Sequence, residues 1–295
     1  MQKSLVIVVT GTSRGIGKGI TNVLLQQTLD RPLVVYATSR SGANTEGEVA
    51  NPNIIEYHKL DITDPASISS FFKRVRMGHG AADVLINNAA VSNDYRENPE
   101  YAAQTIRNNY VGTRDMCKAF LAQPDLRFGA RIVNITSGLN GVSTYGTELQ
   151  QKFRKASMIA DIDDLATKYI EDTSSGPECQ EAAGWGAKAR SYKVSKALIN
   201  TLTVVLAQQN PKVMINSCCP GWVDTEMGRQ GQGRPPKTPE QGAQTAVRCA
   251  IGDLGPGGDK DGALGQDSDE VSGKFYENES IVVVGWGKSK LWLET

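Results

Sequence analysis

The stretch from Leu5 to Gln27 leaves this chain few folds to choose from. An unbroken apolar run, Leu5–Val9, meets the turn Thr10-Gly11-Thr12-Ser13-Arg14-Gly15-Ile16-Gly17, and a helix-like segment from Lys18 to Gln27 follows at once. An apolar run of this length without alternation suits a strand buried on both faces, as in a parallel sheet covered by helices. Strand, glycine turn and helix in that order predict a dinucleotide site. The glycines let the backbone approach a pyrophosphate, whose charge rests on the amides of the helix N-terminus. The spacing is Gly-x-x-x-Gly-x-Gly instead of Gly-x-Gly-x-x-Gly, and it offers Gly11, Ser13, Arg14, Gly15, Ile16 and Gly17 to the cofactor. A plain strand-to-helix turn is the alternative.

The next segments repeat the alternation. Leu33 to Ala37 reads as a second strand ending at Thr38-Ser39-Arg40, where a site for NAD usually places an acidic residue against the ribose hydroxyls. No carboxylate stands there. Arg40 and Arg14 instead offer guanidinium forks suited to a ribose phosphate, which favours NADP unless both are merely solvated surface charges. Ile54 to Leu60 forms a third strand running into Asp61-Ile62, where Asp61 either accepts from an adenine amino group or caps a turn. Val84-Leu85-Ile86 leads into Asn87-Asn88-Ala89-Ala90. There Asn88 either holds the cofactor or ties strands together, and the two alanines leave room for a ligand. A helix from about Tyr101 to Ala122 carries Asn109 in its interior, a locally unfavourable position that marks a polar site or a solvated face. Arg131 to Ile135 makes a fifth strand, and Ser137 at its C-terminal edge faces the crevice where ligands of parallel sheets bind.

The interval between Ser137 and Tyr192 is too long for a simple loop. Glu148 to Asp172 fills it with a helical pattern in which Leu149, Phe153, Ile159, Ile162, Leu165 and Tyr169 form a rough apolar stripe. With the glycine-rich loop Ser174 to Gly186 it makes a helical insertion of about 145–186. Ser191-Tyr192-Lys193-Val194-Ser195-Lys196 then lies on a helix running to about Gln208, which puts the phenol and the ammonium one turn apart on one face. A phenol titrates near ~10, and a neighbouring ammonium favours the phenolate, so the pair suits a general acid that protonates a carbonyl oxygen as hydride arrives at its carbon. Taken alone, such a pair is usually a surface contact. After a sixth strand, Val213 to Cys218, the rigid loop Cys219-Pro220-Gly221-Trp222-Val223-Asp224-Thr225 suits packing against a nicotinamide, through Pro220, Gly221, Val223 and Thr225. A flap over the substrate is expected at about 226–240, an acidic solvent-exposed loop from Gly252 to Glu270, and a closing strand with a short tail in Gly273–Tyr276 and Ile281–Gly285. No repeat or linker divides the chain, so 1–295 is expected to be a single domain.

Composition acts mainly by exclusion. Thirty-two basic residues balance thirty-two acidic ones, which leaves no basic excess for a nucleic acid or an anionic membrane. The apolar runs are strand-sized, and Lys3 followed at once by a short run and the glycine turn does not read as a signal peptide. The five cysteines lack metal-ligand spacing and the two histidines stand apart, so a reduced, metal-free, cytoplasmic protein is expected.

Thr10-Gly11-x-x-x-Gly15-x-Gly17, Asn87-Asn88-Ala89, Ser137 and Tyr192-x-x-x-Lys196, in this order, resemble the short-chain dehydrogenase/reductase family. Three further stretches are similar to its monomeric NADPH-dependent carbonyl reductases: Asn109 to Asp115, Glu148 to Arg154, and Cys218-Cys219-Pro220-Gly221-Trp222-Val223. The likeness covers roughly Leu5 to Tyr276. It implies a Rossmann-type doubly wound α/β fold in which Ser137 positions a carbonyl and Tyr192 donates the proton. Lys196 would lower the tyrosine's pKa and hold the nicotinamide ribose, and Asn109 would support a water relay. It also implies a monomer, because the insertion covers the helix face that relatives use to tetramerise. Ala90 stands where the family usually has glycine, and the acidic loop from Gly252 and the tail after Tyr276 match poorly. The expected activity is NADPH-dependent reduction of ketones, aldehydes or quinones to alcohols. A pathway-specific secondary-alcohol dehydrogenase and a catalytically silent NADP(H) sensor are the rival readings.

Overall fold

The computed structural model describes residues 4–44, 51–187, 189–231, 233–254 and 271–295. Its strands are β1 (Leu5–Thr10), β2 (Leu33–Ser39), β3 (Ile54–Lys59), β4 (Val84–Asn87), β5 (Ala130–Ile135), β6 (Val213–Cys218), β7 (Phe275–Glu277) and β8 (Lys288–Lys290). They form one sheet in the order β3-β2-β1-β4-β5-β6-β7-β8, parallel throughout except for β8, which runs antiparallel to β7. From β1 the chain steps outward to β2 and β3, then returns to the other side of β1 as β4. That reversal opens a crevice at the C-terminal ends of β1 and β4.

Two helical layers cover the sheet, as the unbroken apolar strands require. α1 (Gly15–Leu25) packs with α9 (Pro239–Ile251) on one face, over a core that includes Ile7, Val9, Ile20, Leu24 and Val247. The other face carries α2 (Pro65–His79), α3 (Pro99–Ile106), α4 (Gly112–Leu121) and the long α8 (Ser191–Gln209). Asp64 and Asn98 cap α2 and α3, accepting from Ala66 N and Tyr101 N, with a proline at the first helical position of each. Every residue of β1 is buried.

One buried carboxylate fixes the near end of that strand. Asp83 accepts from Val6 N at 2.8 Å through Oδ2 and pairs with Arg127 Nη1 at 2.8 Å through Oδ1. Replacing it with alanine leaves a central-strand amide and a guanidinium without their partner. Asp83→Ala is therefore expected to cost about 2–3 kcal/mol in urea unfolding; a loss below ~0.5 kcal/mol would show that the contact carries little.

The structure corrects several boundaries. The single helix expected from Tyr101 to Ala122 is two α-helical pieces joined by a π-helical turn, Arg107–Val111, which contains Asn109. The insertion is α5 (Thr147–Lys155), α6 (Ile159–Ser174) and α7 (Pro177–Ala182), so a short helix lies inside the segment read as a glycine-rich loop. The break before α6 comes from Asp161, whose Oδ2 accepts from Ser157 N at 2.8 Å and Met158 N at 3.1 Å and starts a new helix there. Ile281–Gly285, read as part of the closing strand and tail, is an exposed turn, and the strand beyond it is β8. The tail also packs against the insertion: Trp292 is buried against Phe153, and Ser143 N donates to Thr295 O at 2.9 Å. The flap ends earlier than expected, because Thr238 caps α9 through Gln241 N. Most of the acidic loop, residues 255–270, lies outside the described residues. Among those described, no helix is long and apolar enough to cross a membrane.

Candidate active site

A cleft of about 540 Å³ opens at the C-terminal ends of β1 and β4. Its floor is tied by Thr10, whose hydroxyl accepts from Asn88 N and Ala89 N at 3.0 Å each, and by Asn88, whose Nδ2 donates to Thr10 O at 2.9 Å and Gly11 O at 3.1 Å. Of the two roles read for Asn88, tying strands is the one its hydrogen bonds fill. The approach is close enough to dictate glycine. A Cβ on Gly11, which has φ +71°, would lie 2.8 Å from Ala89 Cα, and one on Gly17 would lie 2.1 Å from Gly11 O. The turn thus presents bare backbone to the cleft, a cradle of the size and polarity that a pyrophosphate fits.

Toward the end of β2 the cleft is walled by Arg40, Asp61 and Ile62, and across the glycine turn by Ser13, Arg14, Gly15 and Ile16. Arg14 reaches over the cleft to an ion pair with Glu226 at the start of the flap. Asp61 Oδ1 accepts from Thr63 N at 2.9 Å and Thr63 Oγ1 at 2.7 Å, bonds that hold its carboxyl below the usual range, with Arg40 adding to the effect. It is a turn-capping aspartate whose side chain also lines the cleft.

At the other end Tyr192 and Lys196 stand on the wall formed by the first turns of α8, beside Ile135, Thr136 and Pro220. The ammonium lies 5.5 Å from the centroid of the phenol ring and donates to Ile135 O at 2.8 Å. This differs from the expected phenol activation. Burial pushes the Tyr192 phenol well above its ordinary value, with Cys219 and Asp94 adding, and pushes the Lys196 ammonium down to about 8. Both follow from desolvation of the charged form, which outweighs the neighbouring ammonium in the chain by itself. Asn109 lies beneath the wall, fully buried. It accepts from Val91 N at 2.9 Å and donates to Val91 O and Ser195 Oγ at 2.9 and 3.0 Å. Its π-helical turn is the kind of local departure that recurs at functional sites.

Of the remaining expected residues, Thr225 meets the cleft, with its Cγ2 3.1 Å from the position of a Cβ on Gly15. Val223 does not: its side chain is buried under α9, against Gly242. Gly221, with φ +78°, is pressed between Lys237 Nζ and Ile281 O. Ser137, expected to face the crevice, is not among the residues that line the cleft: it lies just beyond Thr136, buried, and accepts from Leu139 N at 3.2 Å. Sequence reasoning passed over Asn93, Tyr95 and Arg96 after β4 and Met227 in the flap, all of which line the cleft. The first three follow the strand at the reversal point of the sheet, where ligand contacts concentrate, and that topological position was the available signal.

The sequence model of the short chain dehydrogenase family matches residues 5–148. Carbonyl reductase [NADPH] 1 of Sus scrofa is 32% identical over 96% of this chain and 94% of its own length. Carbonyl reductase [NADPH] 3 of Mus musculus is 34% identical over 84% and 91%. Among solved structures, salutaridine reductase from Papaver somniferum superposes with a TM-score of 0.73 at 25% identity, covering 92% of this chain and 99% of that one. The NADPH-bound carbonyl reductase from chicken fatty liver gives 0.63 at 23% identity, over 99% and 96%, a likeness of fold.

Proposed function

This chain belongs to the short chain dehydrogenase family, and from that premise we propose that it is an NADPH-dependent reductase of small carbonyl compounds, turning ketones, aldehydes or quinones into alcohols. The observation that carries the reading is Tyr192 beside Lys196 on the wall of a cleft whose other end is a bare-backbone glycine turn.

In this reading the glycine turn from Gly11 to Gly17 holds the pyrophosphate, and Arg14 and Arg40 hold the ribose phosphate. Lys196 faces the nicotinamide ribose, and Pro220 and Thr225 bound the nicotinamide end. The nicotinamide, when bound, supplies the hydride. The protein's own chemistry is proton delivery. Tyr192 Oη donates to the carbonyl oxygen as negative charge builds there, Ser137 orients that oxygen, and Asn109, bonded to Val91 and Ser195 Oγ, supports a water relay. A phenol raised by burial stays protonated at neutral pH, as a proton donor must. We extend the reading to a monomer on the packing of α6 against α3 and α8, which covers part of the helical layer beside the site, and to a cytoplasmic protein on the cysteine and charge composition of the sequence.

The test is loss of NADPH absorbance with a panel of quinones, aryl ketones and keto esters, run beside NADH. Turnover with NADPH and weak turnover with NADH are expected; NADPH binding without reduction of any member would sink the proposal. pH gives a second check. The Lys196 charge is present below about 8 and lost as pH rises through that value. kcat/KM for NADPH, which reports the free enzyme, is therefore expected to be level near neutrality and to fall toward about tenfold per unit on the alkaline side. A profile level to about pH 10 would remove Lys196 from cofactor binding.

A further inference from the structure

The segment between β4 and α3 touches both the cleft and the catalytic helix. Asn93, Tyr95 and Arg96 line the cleft. Asp94 and Glu97, interleaved with them, turn the other way, onto the start of α8. Glu97 accepts from Arg190 N at 2.9 Å through Oε1 and from Ser191 N at 2.8 Å through Oε2. Asp94 Oδ1 accepts from Tyr192 N at 3.0 Å and from Ser191 Oγ at 3.1 Å. Arg190, the residue that flanks the helix, gives no side-chain cap of its own. Tyr169 of α6 donates to Glu97 Oε1 at 3.4 Å, so the insertion meets the same carboxylate.

We propose that Asp94 and Glu97 are positioning residues for Tyr192, holding the first turn of α8, and with it the phenol, against the cleft wall. The first amides of a helix have no partner within it, and a helix without a cap frays from that end. In most helices the cap is the flanking residue; here two carboxylates supply it from a loop 93 to 98 positions away in sequence. Tyr192 is the second residue of α8, so fraying moves it directly. Lys196 lies a turn further in and is anchored to Ile135 O. Loss of the cap should therefore fall on proton donation and leave cofactor binding in place, since misplacement by about 1 Å costs on the order of 10²-fold in rate. The inference rests on the reductase reading.

The test compares Asp94→Ala and Glu97→Ala with Asp94→Asn, which keeps an acceptor oxygen where Oδ1 takes both of its bonds; glutamine at Glu97 would keep only one of the two oxygens that accept there. The alanine variants are expected to lose about tenfold or more in kcat while KM for NADPH stays within about twofold, and Asp94→Asn to remain within about threefold of wild type in both. Hydrogen exchange at Ser191 N and Tyr192 N, read by NMR, should quicken in the alanine variants only. An alanine variant with wild-type kcat overturns the proposal, as does an Asp94→Asn variant that falls as far as Asp94→Ala. If the alanine variants do not fold, Asp94→Asn decides alone: kcat within about threefold supports the cap, and a tenfold loss overturns it. A wild type that reduces no carbonyl refutes the reductase reading instead, and the two amide exchange rates still judge the cap.

Discussion

Tyr192→Phe is expected to lose about three orders of magnitude in kcat and to bind NADPH as wild type does. Phenylalanine keeps the ring and removes only the oxygen, so the buried first turn of α8 should pack as before. General acid catalysis by a positioned side chain is worth roughly 10²–10⁴-fold, and the upper part of that range applies where no other donor reaches the same point. Around the phenol, Lys196 gives one of its N–H bonds to Ile135 O, the Asp94 carboxylate can only accept, burial raises the Cys219 thiol and makes it a poor acid, and Ser137, which the proposal sets on the same oxygen, is a hydroxyl less acidic than a phenol. Two assays separate the readings. NADPH absorbance follows turnover and NADPH fluorescence follows binding. A variant that keeps a tenth or more of wild-type kcat takes the proton-donor role away from Tyr192. A wild type that binds NADPH and turns nothing over, with the variant indistinguishable from it, would instead describe a sensor.

The residues that announced themselves in the sequence are those whose chemistry is local. The glycine turn is legible because its constraints lie within a few positions: Gly17 must be bare because Gly11 O is beside it. The middle of the sheet was legible because β1, β2 and β4 are buried along their whole length and read as largely unbroken apolar runs. Ile281–Val284 read the same way and is an exposed turn, because composition alone does not reveal whether a partner strand is available. β8 shows the converse: Lys-Ser-Lys has no apolar signal and pairs only because β7 lies ready at the sheet edge. The hidden part of the site depends on contacts between distant segments. Asp94 and Glu97 meet α8 only after the sheet has brought the end of β4 beside the first turn of that helix. The pKa expectation for Tyr192 failed for a related reason. The spacing of Tyr192 and Lys196 is set along one helix, but burial is set by everything packed around it, and here burial dominates.

Arg40→Asp is expected to lower kcat/KM for NADPH about 100-fold and to raise that for NADH, so that the preference narrows or reverses. Arg40 is exposed on the cleft wall at the end of β2, beside Asp61, where the second ribose edge of a dinucleotide in this fold lies. A guanidinium bond to phosphate is worth about 1.5–3 kcal/mol, and a carboxylate in its place both loses that and repels the phosphate, while it gains an acceptor for ribose hydroxyls. Arg14 supplies the second cation and is already paired with Glu226. Both partners of that pair are largely exposed, 74% and 70%, so exchanging Glu226 for a phosphate gives up at most about 1 kcal/mol. Arg14→Ala should accordingly cost less than Arg40→Asp, about tenfold, and because both side chains would share the phosphate as a partner the double variant should lose less than the product. The ratio of kcat/KM for the two cofactors, measured with one carbonyl substrate, reads all three variants. A ratio unchanged within about threefold in Arg40→Asp would mean that the phosphate is recognised elsewhere.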